Sequence, residues 1–388
     1  MRLPLPLVSL LVHLYVGWRL LPALWPGTAW AAVMLAAWLL VSALLMPLSV
    51  ERAPTWIRSG TALKVAGLIA MGLFSSLFVP TFLRDLALLA GTAASLATHG
   101  DRQVLDAFAL WSARLIPPAA IVVTLFGAFN ARRTAKVKRV DIPVAGLPAA
   151  FDGFTIAQLS DVHVGPTIKR PYVQALVDRV NTLGADLVAI TGDLVDGNVP
   201  ALARHVAPLA GLRSRHGSFF VTGNHEYYAG ADAWIAELRR IGISVLLNSH
   251  VTIASREAGG APLVLAGVAD YGAGHFDPAH RSDAVEAMAG SPAEAAARIL
   301  LAHQPRSAAA AEPVGFDLQL SGHTHGGQFW PWNHFVRFQQ PYVSGLHRLG
   351  RMWVYVSRGT GYWGPPNRLG APSEITLLRL VPAGARVG

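Results

Sequence analysis

Residues 28–48 read TAWAAVMLAAWLLVSALLMPL, 21 positions without a charged side chain. As a helix such a run spans the ~30 Å hydrocarbon core of a bilayer, so a membrane is the first constraint on how this chain folds. Residues 4–24 form a shorter apolar run with His13 and Arg19 toward its end. A secretory signal peptide is the competing reading of that run, but more apolar segments follow and no small-residue cleavage site stands out. Residues 65–83 make a third span; residues 109–130 make a fourth, weakened or kinked by Arg114 and the Pro117-Pro118 pair. Leu86 to Ala97 is apolar over only 12 residues and reads as an interfacial or re-entrant piece.

Four spans return the chain to the side on which it starts. Arg2, then Arg52, Arg58 and Lys64, then Arg132, Arg133, Lys136, Lys138 and Arg139 fall on one side, 9 residues against the 4 of Arg19, Arg84, Arg102 and Arg114 on the other. The positive-inside rule then places both termini in the cytoplasm. Residues 1–140 hold 13 of the 32 basic but only 4 of the 23 acidic residues, which leaves 19 of each for the rest, so the formal charge of +9 belongs to the first part. A basic chain invites a nucleic-acid reading. Here the excess flanks apolar segments, and no nucleic-acid partner is expected. The run ARRTAKVKR opens a basic linker over residues 131–149 that can lie on anionic headgroups.

There is no cysteine. Disulfides, zinc fingers, iron-sulfur clusters and thiol catalysis are excluded, and any metal must be held by His, Asp, Glu, Asn or backbone oxygens, a set that suits Mn, Fe(II) or Zn.

From about residue 141 short apolar runs alternate with helical spacing. FTIAQLSDVH is a strand running into Asp161 and His163, and RPYVQALVDRVNTLG is a helix with Val173, Leu176, Val177, Val180 and Leu183 on one side. DLVAITGDLVDG runs into Asp193 and Asp196, SFFVTGNHEYY into Asn224 and His225, RILLAHQP into His303, and FDLQLSGHTH into His323 and His325. Strand-helix-strand alternation implies an α/β unit with parallel strands, whose ligand sites lie beyond the carboxyl ends of the strands. A His-x-His pair in a glycine loop would by itself be a polar turn. Five polar clusters at strand ends, all of metal-ligand type, point instead to a dinuclear metal site, with the glycines letting the backbone turn sharply and approach closely.

Two other motifs do not hold. HEYYA opens like the zincin H-E-x-x-H, but position 229 is Ala; GTGYWG fits G-x-G-x-x-G, yet PPNRLG follows where a helix must start. His13, His99, His205, His216, His250, His275, His280, His334 and His347 have no motif context and read as solvated or packing residues. The aromatic stretch from Gly326 to Gly345 reads as a surface insertion on its own sheet or as a substrate lip that dips into the membrane.

At these clusters the chain resembles the calcineurin-like metallophosphoesterases over roughly residues 150–380. The family's D-x-H, G-D-x-x-D, G-N-H-[DE], lone His and G-H-x-H stand here in order as DVH, GDLVD, GNHE, AHQP and GHTH. The strings SGHTHGGQ and VSRGTGYWGPPNR further resemble a bacterial membrane-associated branch that includes phosphodiesterases and UDP-diacylglucosamine hydrolases. The resemblance implies a four-layer α/β/β/α sandwich, here preceded by a four-helix transmembrane region. The domains would be a membrane domain at 1–130, the linker at 131–149 and a catalytic domain at 150–388. It also implies a ligand set: Asp161, His163 and His325 on one metal, Asn224, His303 and His323 on a second, Asp193 bridging, and His225 as proton donor. Asp196 and Glu226 would orient ligands rather than bind metal. Gly197 stands where protein Ser/Thr phosphatases of this family carry an Arg, which weighs against a protein phosphatase.

The function expected is a hydrolase with two divalent ions (Mn, Fe or Zn), a phosphodiesterase or diphosphate hydrolase. Its partners would be an amphiphilic, lipid-linked phosphoester and the membrane lipids, at the cytoplasmic face of a bacterial inner membrane. The rival is a membrane sensor or scaffold whose phosphoesterase fold binds a ligand without turning it over.

Overall fold

A computed structural model describes residues 4–25, 27–50, 61–98, 102–255 and 257–384; Arg2, Arg52, Arg58 and His99, weighed above, lie outside the described residues. The chain divides into two units, residues 1–130 with 364–369 and residues 131–363 with 370–388.

The first unit holds four helices, α1 (Leu5–Leu24), α2 (Ala29–Val50), α3 (Thr61–Thr98) and α4 (Gln103–Arg132), each long and apolar enough to cross a bilayer. The segment 86–97 is not a separate interfacial piece, because α3 runs unbroken through it for 38 residues. Arg84 and Asp85 interrupt the hydropathy but not the helix, since their charges are met within the bundle. Arg84 Nη1 lies 2.9 Å from Asp85 Oδ1, Arg19 reaches the same carboxylate at 2.8 Å, and the Tyr15 hydroxyl donates to it at 2.7 Å. Pairing of this kind is how ionisable groups persist in apolar spans. His13 has a packing role as expected, with Nδ1 2.7 Å from Ser9 O and Nε2 3.0 Å from Ser42 Oγ.

The second unit is built on two six-stranded sheets. One is formed by β1 (Lys136–Val144), β2 (Thr155–Leu159), β3 (Leu187–Thr191), β4 (Ser218–Val221), β5 (Ser244–Val245) and β12 (Glu374–Pro382), in the order β1-β12-β2-β3-β4-β5. The other is formed by β6 (Ser249–Ile253), β7 (Leu263–Gly267), β8 (Ala297–Leu301), β9 (Leu318–Ser321), β10 (Gly345–Leu349) and β11 (Met352–Val356), in the order β10-β11-β9-β8-β7-β6. Strands β2 to β5 run parallel, as do β7, β8, β9 and β11. The stretch expected as a basic linker, 131–149, instead carries β1, which pairs with β12 from Lys136↔Glu374 to Val144↔Pro382. Ile142 and Val144 are buried on this edge strand. Lys136 and Arg139 stay exposed, and lysine at a sheet edge discourages further strand pairing.

Apolar side chains from both sheets fill the space between them, Ile156, Leu187, Phe219 and Val221 meeting Leu265, Ile299, Leu301 and Leu320. On its outer face the first sheet packs against α5 (Arg170–Asn181), α6 (Val199–Val206) and α8 (Ala231–Arg240) through Val173, Leu176, Val180, Leu202, Trp234 and Leu238. The second sheet is covered by Ala284 and Ala287 of α9 (Ala284–Met288) and by Ala308 and Ala311 of α10 (Ala308–Ala311). This is the α/β/β/α order that was expected. The buried Gln158 amide fastens the two sheets where the site lies, donating to Thr191 Oγ1 at 2.9 Å and to Ser321 O at 3.0 Å.

Candidate metal centre

The carboxyl ends of β2, β3, β4, β8 and β9 deliver Asp161, Asp193, Asn224, His303 and His323, each two or three residues past the last strand residue. Asp161, His163 and His325 bring one potential ligand atom each within 4.8 Å of one another, and so do Asp193, His303 and His323. In the first group His163 Nε2 and His325 Nε2 are 3.1 Å apart, with Asp161 Oδ1 3.4 Å from His325 Nε2. In the second, His323 Nδ1 and His303 Nε2 are 3.2 Å apart, with Asp193 Oδ2 3.1 Å from His303 Nε2. Ligand atoms held ~2.1 Å from one ion lie ~3.0–3.4 Å from each other in octahedral or tetrahedral geometry, so both groups have the spacing of a coordination shell. Asp193 Oδ2 is also 3.9 Å from His163 Nε2 of the first group, which places this one oxygen between the two. Asn224 Oδ1 is buried without a hydrogen-bond partner, an acceptor that a cation would satisfy.

The backbone is bent to achieve this. Asp161, His163, Asp193, His323 and His325 all adopt φ between 51° and 69°, the left-handed region that non-glycine residues seldom enter. Strain of this sort persists only where surrounding structure enforces it, and here it falls on five of the seven expected ligands. The glycines beside them give room. A Cβ on Gly322 would stand 1.9 Å from Ser160 Oγ and 2.2 Å from Asp161 Oδ2; one on Gly223 would stand 2.2 Å from Asp193 Oδ1. In their place backbone amides reach the carboxylates: His323 N–H donates to Asp161 Oδ1 at 2.9 Å and His225 N–H to Asp193 Oδ1 at 2.9 Å.

Groups behind the ligands set their tautomers. Thr191 O accepts from His303 Nδ1 at 2.8 Å and Asp196 Oδ1 from His163 Nδ1 at 2.8 Å, so in both rings Nε2 is the atom turned to the centre. Glu226 accepts from the N–H groups of Asp193, Leu194 and Gly223 at 3.0, 2.8 and 2.7 Å, and so positions the loop rather than the Asn224 side chain. Burial disfavours charge on His303, but Asp193, Asp161 and Asp270 hold its pKa well above the usual imidazole value. Asp193, although buried, is held well below the usual carboxylate range by His303, His225 and His163. The pocket thus stabilises positive charge strongly. A metal must displace the proton from His303 to use it as a ligand, so metal uptake releases protons.

Sequence reasoning passed over Asp270, which also follows a strand, β7, and is buried to 1% exposure. It accepts from Gln304 Nε2 at 3.0 Å and Gly272 N–H at 2.8 Å. The signal was present in the apolar run LVLAGVAD, but no second ligand-type residue accompanies it. His163, Asp196 and His225 form a third group of potential ligand atoms, with His225 Nδ1 2.7 Å from Asp196 Oδ1 and its Nε2 3.9 Å from Asp193 Oδ2. Burial works against its cation, yet the hydrogen bond to Asp196 and the charge of Asp193 raise its pKa to about 9.

A profile described as calcineurin-like phosphoesterase matches residues 154–327. The chain is similar to a "Transmembrane protein with metallophosphoesterase domain" of Danio rerio, 40% identical over 264 residues, which are 67% of this chain and 60% of that protein. It is similar to an uncharacterized metallophosphoesterase of Campylobacter jejuni, 36% identical over 65% of this chain and 64% of the relative. A third similarity, to an uncharacterized metallophosphoesterase of Aquifex aeolicus, is 32% identical over 67% of this chain and 97% of the relative. The chain thus spans about three fifths of the length of the first two relatives and nearly all of the third.

In metal-free protein, imidazole NMR should place His225 near pKa 9, and Asp196→Asn should bring it down toward the ordinary ~6.5. A raised folded-state pKa favours the fold fully below ~6.5, and that contribution is lost as pH rises through the folded value. A His225 pKa at or below the ordinary value in the unaltered chain contradicts the Asp196 contact.

Proposed function

The chain belongs to the calcineurin-like phosphoesterases, and on that footing we propose that it is a metal-dependent phosphodiesterase or diphosphate hydrolase acting on a membrane-associated substrate. The observation that carries the reading is the pair of ligand groups meeting at Asp193 Oδ2. Asp161, His163 and His325 would hold one divalent ion and Asn224, His303 and His323 the other, with Asp193 shared between them and Mn the ion of first choice, Fe or Zn the others. Two such ions, when bound, supply hydroxide at neutral pH and charge to polarise the phosphoryl oxygens. His225 lies beside the ligands without belonging to them. Its Nδ1–H is engaged by Asp196, so the proton on Nε2 is the one it can deliver. When the bond from phosphorus to the leaving oxygen breaks, that oxygen keeps the electron pair, and the His225 Nε2 proton would neutralise it.

The membrane part of the proposal draws on the four apolar helices and on the segment from Trp330 to Phe338. There Trp330, Trp332, Phe335 and Phe338 are 42%, 43%, 54% and 77% exposed. Rings of this type favour the membrane interface, and a bundle of four spans anchors more firmly than a soluble substrate requires. The charge asymmetry favours catalysis at the cytoplasmic face of a bacterial inner membrane. A sensor or scaffold without turnover is disfavoured because all seven ligands of the family pattern are present.

Chelated protein should be inactive on bis(p-nitrophenyl) phosphate and recover with Mn. Asp193→Asn should cost more activity than any single His ligand change, since it alone serves both ions. His225→Asn should lose ~10²–10⁴-fold in turnover while keeping its metal. Full activity in protein shown by elemental analysis to be metal-free would end the proposal. A reporter that works only outside the cytoplasm, fused after Gly388, should be silent; an active fusion would mean an odd number of crossings.

A further inference from the structure

Four rings stand in a row beside the candidate centre. Phe276 and Tyr228 have centroids 5.6 Å apart, Tyr228 and His225 5.3 Å, and His225 and Trp363 6.0 Å. The three carbocyclic or indole residues are each more than half exposed, while the His225 side chain is only 17% exposed. The proton donor therefore lies recessed in an aromatic strip. Scattered exposed aromatics need no explanation, but contiguous ones mark a surface that receives something.

The strip is held to the metal-ligand loops. Tyr228 follows His225 by three residues on α7 (Asn224–Ala229), and so stands on the same side of that turn. Trp363 is fixed through its backbone by the buried Gln328, three residues after His325: its N–H donates to Gln328 Oε1 at 2.8 Å, and Gln328 Nε2 donates to its carbonyl at 2.7 Å. Two residues earlier Gly361 N–H donates to Asp161 O at 3.0 Å, and a Cβ there would lie 2.0 Å from Val162 O. The GTGYWG string, which carries no nucleotide-binding turn, thus serves to bring an indole against the catalytic loops.

We propose that this site selects phosphoesters with an apolar leaving group, an alcohol or phenol bearing alkyl or aryl carbon, and that Tyr228 and Trp363 flank that group. The inference rests on the reading of His225 as proton donor. With Nδ1 engaged by Asp196, Nε2 must meet the leaving oxygen, and whatever is bonded to that oxygen extends over the rings on either side. A small hydrophilic alcohol would leave both rings in water; an apolar one buries them together with itself.

The test compares methyl phenyl phosphate with methyl 4-butylphenyl phosphate, whose leaving phenols are of similar acidity, using Mn-loaded full-length protein in nanodiscs. Wild type should favour the butylphenyl ester at least about tenfold in kcat/KM, and Trp363→Ala and Tyr228→Ala should each cut that preference to within about twofold, mostly through KM. Partition of the ester into the nanodisc is common to all three proteins and cancels in the comparison. Equal turnover of both esters by wild type overturns this inference and leaves the catalytic reading intact. A preference that survives both substitutions while vesicle binding falls also overturns it, assigning the rings to the bilayer surface. If neither ester is hydrolysed, the catalytic reading fails and this inference with it.

Discussion

Asp161 and Asp193 are buried carboxylates whose charge has to be met inside the protein, and among the described residues their ion-pair partners are imidazoles alone. Removing one partner from a buried charge is severely destabilising, so everything around these two groups is constrained. Strands end where they do so that the carboxylates face inward. Loops take left-handed turns to bring His163, His323 and His325 round to them. Glycines at 223 and 322 leave space for amides to reach the oxygens. The two sheets, which make their own apolar core, are held by Gln158 and Thr191 in the register that brings the five strand ends together.

Much of this was legible in the sequence because parallel α/β sheets deliver functional groups at one end. Each apolar run finishing in Asp, His or Asn announced a strand and a candidate ligand, and six of the seven candidates fall into two groups of three. What stayed hidden depends on partners distant in sequence or on charge that masks a pattern. The strand at Lys136–Val144 is disguised by its basic residues, and its partner lies more than 230 residues later. The unbroken α3 was obscured by Arg84 and Asp85, which pair with each other while Arg19 and Tyr15 of α1 also reach Asp85. Asp270 lacked a companion in its own segment, and the clasp of Gln328 on Trp363 joins two loops by side-chain geometry that no spacing encodes.

The electrostatics divide the labour between imidazoles that look alike. His303 and His163 have Nδ1 tied to an acceptor and Nε2 turned to the centre, and His225 has the same tie through Asp196, with its Nε2 3.9 Å from Asp193 Oδ2. Asp196 serves His163 and His225 through a single oxygen, Oδ1. Under the proposed assignment a change there would disturb metal affinity and proton delivery together, since the one oxygen serves both rings.

X-ray absorption spectroscopy with elemental analysis on the purified full-length chain tests the central claim most directly. About two divalent ions per chain are expected, with nitrogen and oxygen neighbours at ~2.0–2.2 Å and a metal–metal vector of about 3.5–4 Å. Asp193→Asn should remove that vector. A single ion per chain at saturation, or two ions with no metal–metal vector and an unchanged spectrum in Asp193→Asn, would contradict it.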